Sequence, residues 1–201
     1  MKKVFSIINI IVLLILAVLL STYLLFYNTA QVSGPSMTPT FQNGDFILIQ
    51  KSIKHIKNFD KVVVHSDILD KELCKRVIGL PGDTVIISNG VLRINNKVIK
   101  EDYLLDQKWD DGTALNMKIA DGEIFVMGDN RNDSMDSRNL GTMKLSDVDG
   151  IIIYDFTKEL GITKAKAKYA LFILWVIVVI DFVISNIRNV KEGRSNKSSN
   201  E

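Results

Sequence analysis

The sequence contains few of the residues on which disulfides, zinc centres and histidine-dependent catalysis rely. Cys74 is its single cysteine, so the chain cannot form an internal disulfide, and no paired cysteine and histidine spacing predicts zinc. The two histidines, His55 and His65, lie in a basic stretch (SIKHIKN) and at the end of a short apolar run. Both positions are typical of surface residues. Cysteine usage therefore gives no information on the compartment, which has to be inferred from topology.

The chain also lacks a basic surface excess in its centre. Its formal net charge is +2, but Lys2 with Lys3 and the tail 188–201 each contribute +2, which leaves −2 for residues 4–187. A nucleic-acid-binding domain is expected to carry a basic patch. This charge distribution argues against a nucleic-acid partner.

A long uncharged run occupies the N-terminus. Residues 4–27 contain 24 residues without a charge, and a helix of this length spans about 36 Å, enough to cross a hydrocarbon core of about 30 Å. The run is longer than the apolar core of a cleaved signal peptide, which is roughly 7–15 residues. We therefore expect an uncleaved anchor, with Lys2 and Lys3 in the cytoplasm and the following chain outside.

A second apolar run, residues 169–187, precedes the basic tail and contains Asp181 near one end, where an ionisable residue is tolerated in a membrane. Its tail suits the cytoplasm, and residues 192–201 are polar and expected to be disordered. Three lysines just before the run weaken the charge argument: Lys164, Lys166 and Lys168. A buried or interfacial helix therefore stays open as the alternative to a second span.

The centre of the chain is predicted to be mostly β. Short apolar or alternating runs are separated by turn signals, including Asn89-Gly90, Asn95-Asn96 and the type II turn of residues 80–83. Roughly seven strands with long connections favour an antiparallel, Greek-key or barrel-like domain. Residues 106–122 are polar and irregular, which predicts a loop. The clearest strands are 46–50, 62–65, 76–79, 123–127 and 150–154, with three more short ones in 85–99.

Three polar stretches do not fit a strand pattern: SGPSMTPT with Ser36, KRVIGLPGD beginning at Lys75, and GDNRNDSMDSR over residues 128–138. Ser36 in its Gly-Pro turn is either the start of a domain or a nucleophile at the membrane surface. Lys75 is either a solvated strand end or a buried base. Burial beside Val77 would lower the pKa of its ammonium, and a neutral amine can take the proton of a serine hydroxyl.

Two other chemistries are possible from the residues. His65 and Asp67 could serve a Ser-His-Asp arrangement, although nothing around them supports it. The loop 128–138 could be a turn-rich connection or a calcium site, but it lacks the glycine at position six and the glutamate at position twelve of an EF-hand loop.

In this order after an N-terminal anchor, the three stretches resemble the motif set of the type I (leader) signal peptidases, in the bacterial Ser-Lys form. The resemblance runs from the anchor to about residue 154. It implies Ser36 as nucleophile, Lys75 as general base and Ser134 as the serine that orients the lysine amine. Relatives with histidine at the base position are disfavoured by Lys75. The resemblance further implies a structural pair, a neighbouring arginine and a supporting loop: Asp136 with Arg138, Arg76 near Asp136, and Gly128, Asp129, Asn130 and Arg131.

The function implied is a serine endopeptidase of the bacterial plasma membrane that removes signal peptides from exported preproteins carrying small residues at −1 and −3. No metal or nucleotide cofactor is needed, and the expected partners are preproteins and membrane lipid. The alternative is a non-catalytic, membrane-tethered β module for secretion or pilus assembly. The expected division is 1–3 cytoplasmic, 4–27 anchor, 28–160 extracytoplasmic catalytic β domain, 169–187 second transmembrane helix and 188–201 cytoplasmic tail.

Two features depart from the resemblance: the second apolar run, 169–187, which the simplest members of the family lack, and the residue at position 34. Some family members carry a serine hydroxyl two residues before the nucleophile, where it helps to form the oxyanion hole, and this chain has Gly34 there. The backbone N–H of Ser36 is therefore expected to carry most of the oxyanion stabilisation. An oxyanion-hole donor can be worth about 2.7–4 kcal/mol.

Overall fold

A computed structural model describes residues 2–51, 53–104, 106–110, 112–167 and Tyr169, with the side chains of the first helix from Leu14 onward. The described helices are α1 (Lys2–Phe26), α2 (Ser137–Leu140) and α3 (Phe156–Leu160), with 3-10 turns at Arg131–Asp133 and Leu145–Asp147. The described strands are β1 (Tyr27–Gln31), β2 (Phe46–Gln50), β3 (Lys61–Ser66), β4 (Lys71–Gly79), β5 (Thr84–Ser88), β6 (Val91–Ile94), β7 (Lys97–Val98), β8 (Leu115–Lys118), β9 (Glu123–Met127), β10 (Met143–Lys144) and β11 (Val148–Asp155).

The strands form two antiparallel sheets. The large sheet has the order β1-β2-β11-β3-β4-β9-β10, and the small sheet has the order β7-β6-β5-β8. Each pairing is antiparallel. The prediction of a mostly β, antiparallel fold is therefore confirmed.

The turn residues explain the register of the small sheet. Asn89 and Gly90 have φ of 48° and 69°, and Asn95 and Asn96 have φ of 53° and 65°. Positive φ at both central residues is the signature of the type I′ turn, whose twist matches that of the flanking strands. At residues 80–83, Gly82 has φ of 87° and the Asp83 N–H donates to the Leu80 carbonyl at 2.9 Å. The predicted turns are confirmed.

Two predictions about the strands need correction. The segment 106–122 is not a loop throughout, because Leu115–Lys118 pairs with β5 and Trp109 is buried. This strand lies at a sheet edge and has only four residues, so its alternation of Leu115 and Met117 with two polar residues is too short to stand out in a polar stretch. Tyr27 belongs to β1, paired with Gln50, rather than to the helical run that precedes it.

The site lies against the middle of the large sheet. Strand β4 is flanked by β3 and β9, and its residues Leu73 and Val77 are buried in an apolar cluster with Val62 and Val126. Because side chains alternate along a strand, Lys75 projects from the same face as Leu73 and Val77. The sheet therefore surrounds one lysine with apolar side chains.

Helix α1 passes directly into β1. The N–H of Lys51 donates to the Phe26 carbonyl at 2.9 Å, and Lys51 Nζ donates to the Leu24 carbonyl at 2.8 Å. These bonds satisfy carbonyls that the helix end leaves without partners, and the ammonium complements the helix dipole. Within the part of the chain that the structure describes, no helix was found to be long and apolar enough for a membrane crossing. Apart from Tyr169, the predicted second span 169–187 and the tail 188–201 lie outside the described residues.

Candidate active site

Ser36 opens a tight turn that is fixed by its apolar neighbours. The Thr38 N–H donates to the Pro35 carbonyl and the Phe41 N–H to the Met37 carbonyl, both at 3.0 Å. Met37 and Phe41 are only 1% and 4% exposed, so both pack in the core. Burial of these two side chains anchors the turn on either side and leaves the half-buried serine at its start.

Lys75 reaches this serine. Its Nζ donates to Ser36 Oγ at 2.7 Å, and the residue is only 3% exposed. Burial lowers the pKa of the Lys75 ammonium from its ordinary value of 10.5, because the charged form loses its water. The negative charge of Asp136 opposes this shift, and the positive charges of Lys71 and Arg138 add to it. The geometry thus places a base of lowered pKa on a hydroxyl.

Gly128 follows β9 and is wedged beside the serine. A Cβ at this position would overlap Ser134 Oγ and lie 2.5 Å from the carbonyl oxygen of Ser36. The neighbouring Asn130 N–H donates to that same carbonyl at 3.0 Å. The absence of a side chain at residue 128 therefore lets the loop approach the turn of Ser36 closely.

Ser134 lies on the same side of Gly128 as the Ser36 carbonyl. Its Oγ is buried and has no hydrogen-bond partner among the described residues, so the hydrogen bond expected from Ser134 to Lys75 is not formed in this structure. The Nζ of Lys75 donates to Ser36 instead. The structure thus brings Ser36 and Lys75 into direct contact and places Ser134 against Gly128 without a partner.

Asp136 and Arg138 form the expected pair. Arg138 Nε donates to Asp136 Oδ1 and its Nη2 to Oδ2, both at 2.9 Å, and both side chains are buried. Asp136 Oδ2 also accepts the N–H of Gly128 at 2.9 Å, and Oδ1 accepts the Arg138 N–H at the start of α2. The carboxylate of Asp136 therefore connects Gly128 to helix α2.

Arg76 does not bind the carboxylate that the sequence suggested. It binds Asp129 rather than Asp136, through Nε to Oδ1 at 2.7 Å and Nη2 to Oδ2 at 2.5 Å. Arg76 lies opposite Met127 in the ladder, and Asp129, two residues further on, falls on the same side of that strand line. Thr40 Oγ1 donates to Asp129 and accepts from Arg76, which links the pair to the turn of Ser36.

Arg131 has a partner that the sequence analysis missed. Its Nη1 and Nη2 donate to Glu101 Oε2 and Oε1 at 3.0 and 2.5 Å, and both residues are buried. Its Nε donates to the Gly128 carbonyl at 3.0 Å. Glu101 stands in an irregular stretch thirty residues earlier in the chain, where no periodic pattern marks it.

The histidines lie apart from this cluster. His65 Nδ1 is 2.9 Å from Glu72 Oε1, and the side chain is 37% exposed. It lies three residues along β3 from Val62, which is paired with Lys75, and three residues of strand correspond to about 10 Å. His55 is exposed. The structure gives no support to a Ser-His arrangement.

The loop 128–138 does not have the character of a cation site. Asp129 and Asp136 each bind an arginine side chain. Over the described ranges, no group of three or more histidine, cysteine, aspartate or glutamate side chains is arranged to hold a metal ion.

Comparison with known proteins places the sequence among relatives of one kind. The profile of the family described as "Signal peptidase, peptidase S26" matches residues 4–156. The chain is 34% identical over 169 residues to signal peptidase I U of Bacillus subtilis (strain 168), covering 77% of this chain and 90% of that protein. It is 37% identical over 169 residues to signal peptidase I of Bacillus amyloliquefaciens, covering 78% and 89%.

Among solved structures, a signal peptidase I from Enterococcus faecalis V583 matches with 32% identity and a TM-score of 0.44, covering 51% of this chain and 100% of that one. The family profile spans most of the chain, and both Bacillus relatives are aligned over nearly their whole length. The chain therefore belongs to the signal peptidase family, peptidase S26, and is a hydrolase of that family.

Proposed function

We propose that this hydrolase is a membrane-tethered serine endopeptidase that cleaves signal peptides from exported preproteins, with Ser36 as nucleophile and Lys75 as general base. The observation that carries the proposal is the 2.7 Å contact between Lys75 Nζ and Ser36 Oγ, made by a lysine that is only 3% exposed. A nucleophile and a base within hydrogen-bond reach form the minimal arrangement for covalent acyl transfer.

The chemistry follows from the lowered pKa of Lys75. Its neutral amine takes the proton of Ser36, and the serine oxygen attacks the scissile carbonyl. The resulting ammonium gives that proton to the leaving amine as the carbon–nitrogen bond breaks, which leaves an acyl-enzyme. Lys75, neutral again, then activates a water molecule that hydrolyses the ester and regenerates Ser36.

The oxyanion that forms during attack needs donors near Ser36. Among the hydrogen bonds of the described residues none uses the backbone N–H of Ser36, so this donor is available to substrate. Gly34 has φ of +86° and nothing within 4 Å of the place where its Cβ would be, and its N–H donates to Asn43 Oδ1 at 3.0 Å. A fixed glycine turn with open space beside it suits an extended substrate backbone.

Ser134 is proposed to hold the protonated amine. Once Lys75 carries three N–H bonds it needs acceptors besides the substrate and Ser36. Ser134 Oγ is a buried hydroxyl without a partner in the described structure, and it lies with the Ser36 carbonyl next to the place where a Cβ of Gly128 would be. Its unused lone pairs support the proposal that it receives the ammonium during the reaction.

Membrane tethering and substrate choice are part of the proposal. The side chains of α1 from Leu14 to Phe26 are exposed and largely apolar, and α1 enters the catalytic sheet with no linker. Holding Ser36 close to the bilayer would raise its effective concentration toward cleavage sites just beyond a substrate's apolar segment. The family implies small residues at −1 and −3 and an outward-facing catalytic domain in the plasma membrane, and the apolar run 169–187 is proposed as a second span.

The deciding experiment uses full-length protein in detergent and a labelled preprotein with an Ala-x-Ala site. Ser36→Ala and Lys75→Ala should each lower kcat/KM at least about 10³-fold, as removal of members of a catalytic unit does. Ser134→Ala should lower kcat by a smaller factor. The matched controls Ser88→Ala and Lys97→Ala change exposed residues of the small sheet and should keep full activity.

The alternatives give different results in the same assay. Activity that survives Lys75→Ala but not His65→Ala would establish the Ser-His arrangement. A wild-type protein that cuts no Ala-x-Ala preprotein in detergent or lipid would establish a non-catalytic secretion or pilus module instead.

A further inference from the structure

An irregular segment leads away from the small sheet and lies against the catalytic loop. It follows β7 and includes residues 101–104 and 106–109, and we call it the connecting segment. Glu101, Leu104 and Trp109 are buried, although the neighbouring residues Asp102 and 106–108 are exposed. The segment therefore has an inward side, and the residues on that side contact the loop 128–138.

The strongest contact is the buried pair of Glu101 and Arg131. These residues are 7% and 3% exposed and meet through two hydrogen bonds, and the Tyr103 hydroxyl donates to Glu101 Oε1 at 2.7 Å. Charges that have lost their water depend on their partner, because removal of one leaves the other uncompensated. The position of Arg131 is therefore tied to that of Glu101.

The aromatic residues of the segment contact arginines of the site. The ring of Tyr103 lies 4.0 Å from Cζ of Arg76, and the ring of Trp109 lies 4.8 Å from Cζ of Arg131 and 5.5 Å from Cζ of Arg138. A guanidinium within about 6 Å of an aromatic ring face is attracted to it, and more strongly in a dry environment. All three arginines that flank the catalytic residues thus contact the same segment.

A short path leads from this contact to the reacting groups. Arg131 Nε donates to the Gly128 carbonyl at 3.0 Å, and the Cα of Gly128 faces both the Ser36 carbonyl and Ser134 Oγ, which a Cβ at this residue would overlap. A displacement of Arg131 would move Gly128, and would therefore change the contacts that Gly128 makes with the Ser36 carbonyl and with Ser134 Oγ. The distance between Ser36 Oγ and Lys75 Nζ then depends on a carboxylate in another part of the fold.

We propose that the connecting segment clamps the catalytic loop, and that Glu101 is a positioning residue for the reaction of Ser36 and Lys75. This inference rests on the proposed function. The segment couples the small sheet, which contributes no reacting group of its own, to the geometry of the site in the large sheet.

The test is a pair of isosteric substitutions at adjacent residues in the full-length protein in detergent. Glu101→Gln removes the buried carboxylate charge, and Asp102→Asn removes an exposed one that pairs with Lys100. We expect Glu101→Gln to lower kcat about 10–100-fold, since misplacement of about 1 Å can cost that much. KM should change less than about twofold, because substrate binding itself is not altered. Asp102→Asn should match the wild type.

A pH profile separates positioning from plain loss of stability. If the loop shifts, water reaches Lys75 and its pKa returns toward the ordinary value, so the acid limb of kcat moves to higher pH in Glu101→Gln. Tyr103→Phe keeps the ring on Arg76 and removes only the hydroxyl that supports Glu101. This milder variant should shift kcat and the acid limb in the same direction by a smaller amount, and it decides the question if Glu101→Gln does not fold.

Trp109 provides a readout that does not need activity. Its side chain is only 2% exposed, so release of Arg131 should move its fluorescence emission to longer wavelength in Glu101→Gln and not in Asp102→Asn. Folded Glu101→Gln and Tyr103→Phe proteins with wild-type kcat, acid limb and emission would overturn the clamp, as would a rise in KM alone. An inactive wild type, or an active Ser36→Ala protein, would instead overturn the proposed function. In that case the Trp109 emission of Glu101→Gln would still show whether the connecting segment holds the loop.

Discussion

Two regions of this molecule pair a basic with an acidic side chain at the same distance. In the loop 128–138, Arg138 meets Asp136 at 2.9 Å, and at the turn end of the β3–β4 hairpin (residues 65–72, called the exposed turn), His65 meets Glu72 at 2.9 Å. The loop carboxylate is fully buried and its arginine is 1% exposed, whereas His65 and Glu72 are 37% and 49% exposed.

The difference shows that distance alone does not define the role of an ion pair. In the loop, each charge has given up its water, so the pair is costly to break and holds the backbone in one arrangement. In the exposed turn, water screens the charges, and the side chains lose conformational freedom when they pair. The pair therefore contributes little to the stability of the fold. The residues proposed for catalysis therefore lie beside the buried pairs, and the histidine that could have competed lies among the exposed ones.

The largest effect should come from breaking a buried pair. Asp129→Asn leaves Arg76 buried without its counter-charge, and the free energy of unfolding should fall by about 3–5 kcal/mol. Asp67→Asn makes the same chemical change in the exposed turn, where Asp67 pairs with Lys144, and should have no measurable effect. Urea unfolding of both variants in detergent measures the contrast, and equal losses would show that burial does not separate the two regions.

A smaller effect, confined to activity, should come from adding a methyl group at Gly128. Gly128→Ala places a methyl group against the Ser36 carbonyl and Ser134 Oγ, and the resulting displacement should lower kcat/KM about 10²-fold. Gly122→Ala is the matched change in a turn where nothing lies within 4 Å but φ is +78°, so it should cost about 1–2 kcal/mol of stability and spare activity. Preprotein cleavage and thermal unfolding of both variants provide the comparison. A Gly128→Ala protein with full activity would mean that the loop can move away from the serine.

Much of the fold was predictable because its signals are local. Strands such as Phe46–Gln50 and Glu123–Met127 have short apolar runs between turn residues, and Asn-Gly and Asn-Asn pairs adopt positive φ at low cost. β8 was missed because an edge strand with alternate exposed residues depends on its neighbour for pairing. Tyr27 was assigned to the helix because it continues an uncharged run, and its pairing with Gln50 is not visible in that run.

The candidate site was predictable only as a set of residues. The three polar stretches indicated Ser36 and Lys75, but the partner of Arg76 depends on which residue lies opposite it in the ladder, and Met127 fixes that register. Glu101 could not be found, because its pairing with Arg131 is a tertiary contact across thirty residues with no repeating pattern at either end. Contacts of this kind are set by packing and not by local sequence.

A third prediction concerns the cost of burying Lys75. Because burial lowers the pKa of its ammonium below 10.5, the unfolded chain binds more protons than the folded one between the folded pKa and 10.5. Stability should therefore rise with pH through that window. Lys75→Met should raise Tm most below the folded pKa, with the advantage shrinking toward pH 10.5. One kcal/mol corresponds to about 2–4 °C in a chain of this size. Lys97→Met changes an exposed residue, and its Tm difference from the wild type should not vary with pH from 7 to 10. If the Tm difference of Lys75→Met did not vary with pH either, the Lys75 ammonium would keep its water in the folded protein.

The smallest effect is expected in the exposed turn, from His65→Gln. The hydrogen bond to Glu72 raises the pKa of His65 above 6.5, partial loss of water opposes this rise, and the charges of Glu72, Asp67 and Asp70 add to it. A raised folded pKa stabilises the fold below 6.5, and that contribution disappears as pH rises through the folded pKa. His65→Gln should therefore melt slightly below the wild type at pH 5.5 and together with it at pH 8.5, with cleavage rates within about twofold at both values because the pair is exposed. A loss of cleavage at pH 8.5 would place the histidine in the chemistry and remove the contrast between the two regions, since an exposed pair would then matter as much as a buried one.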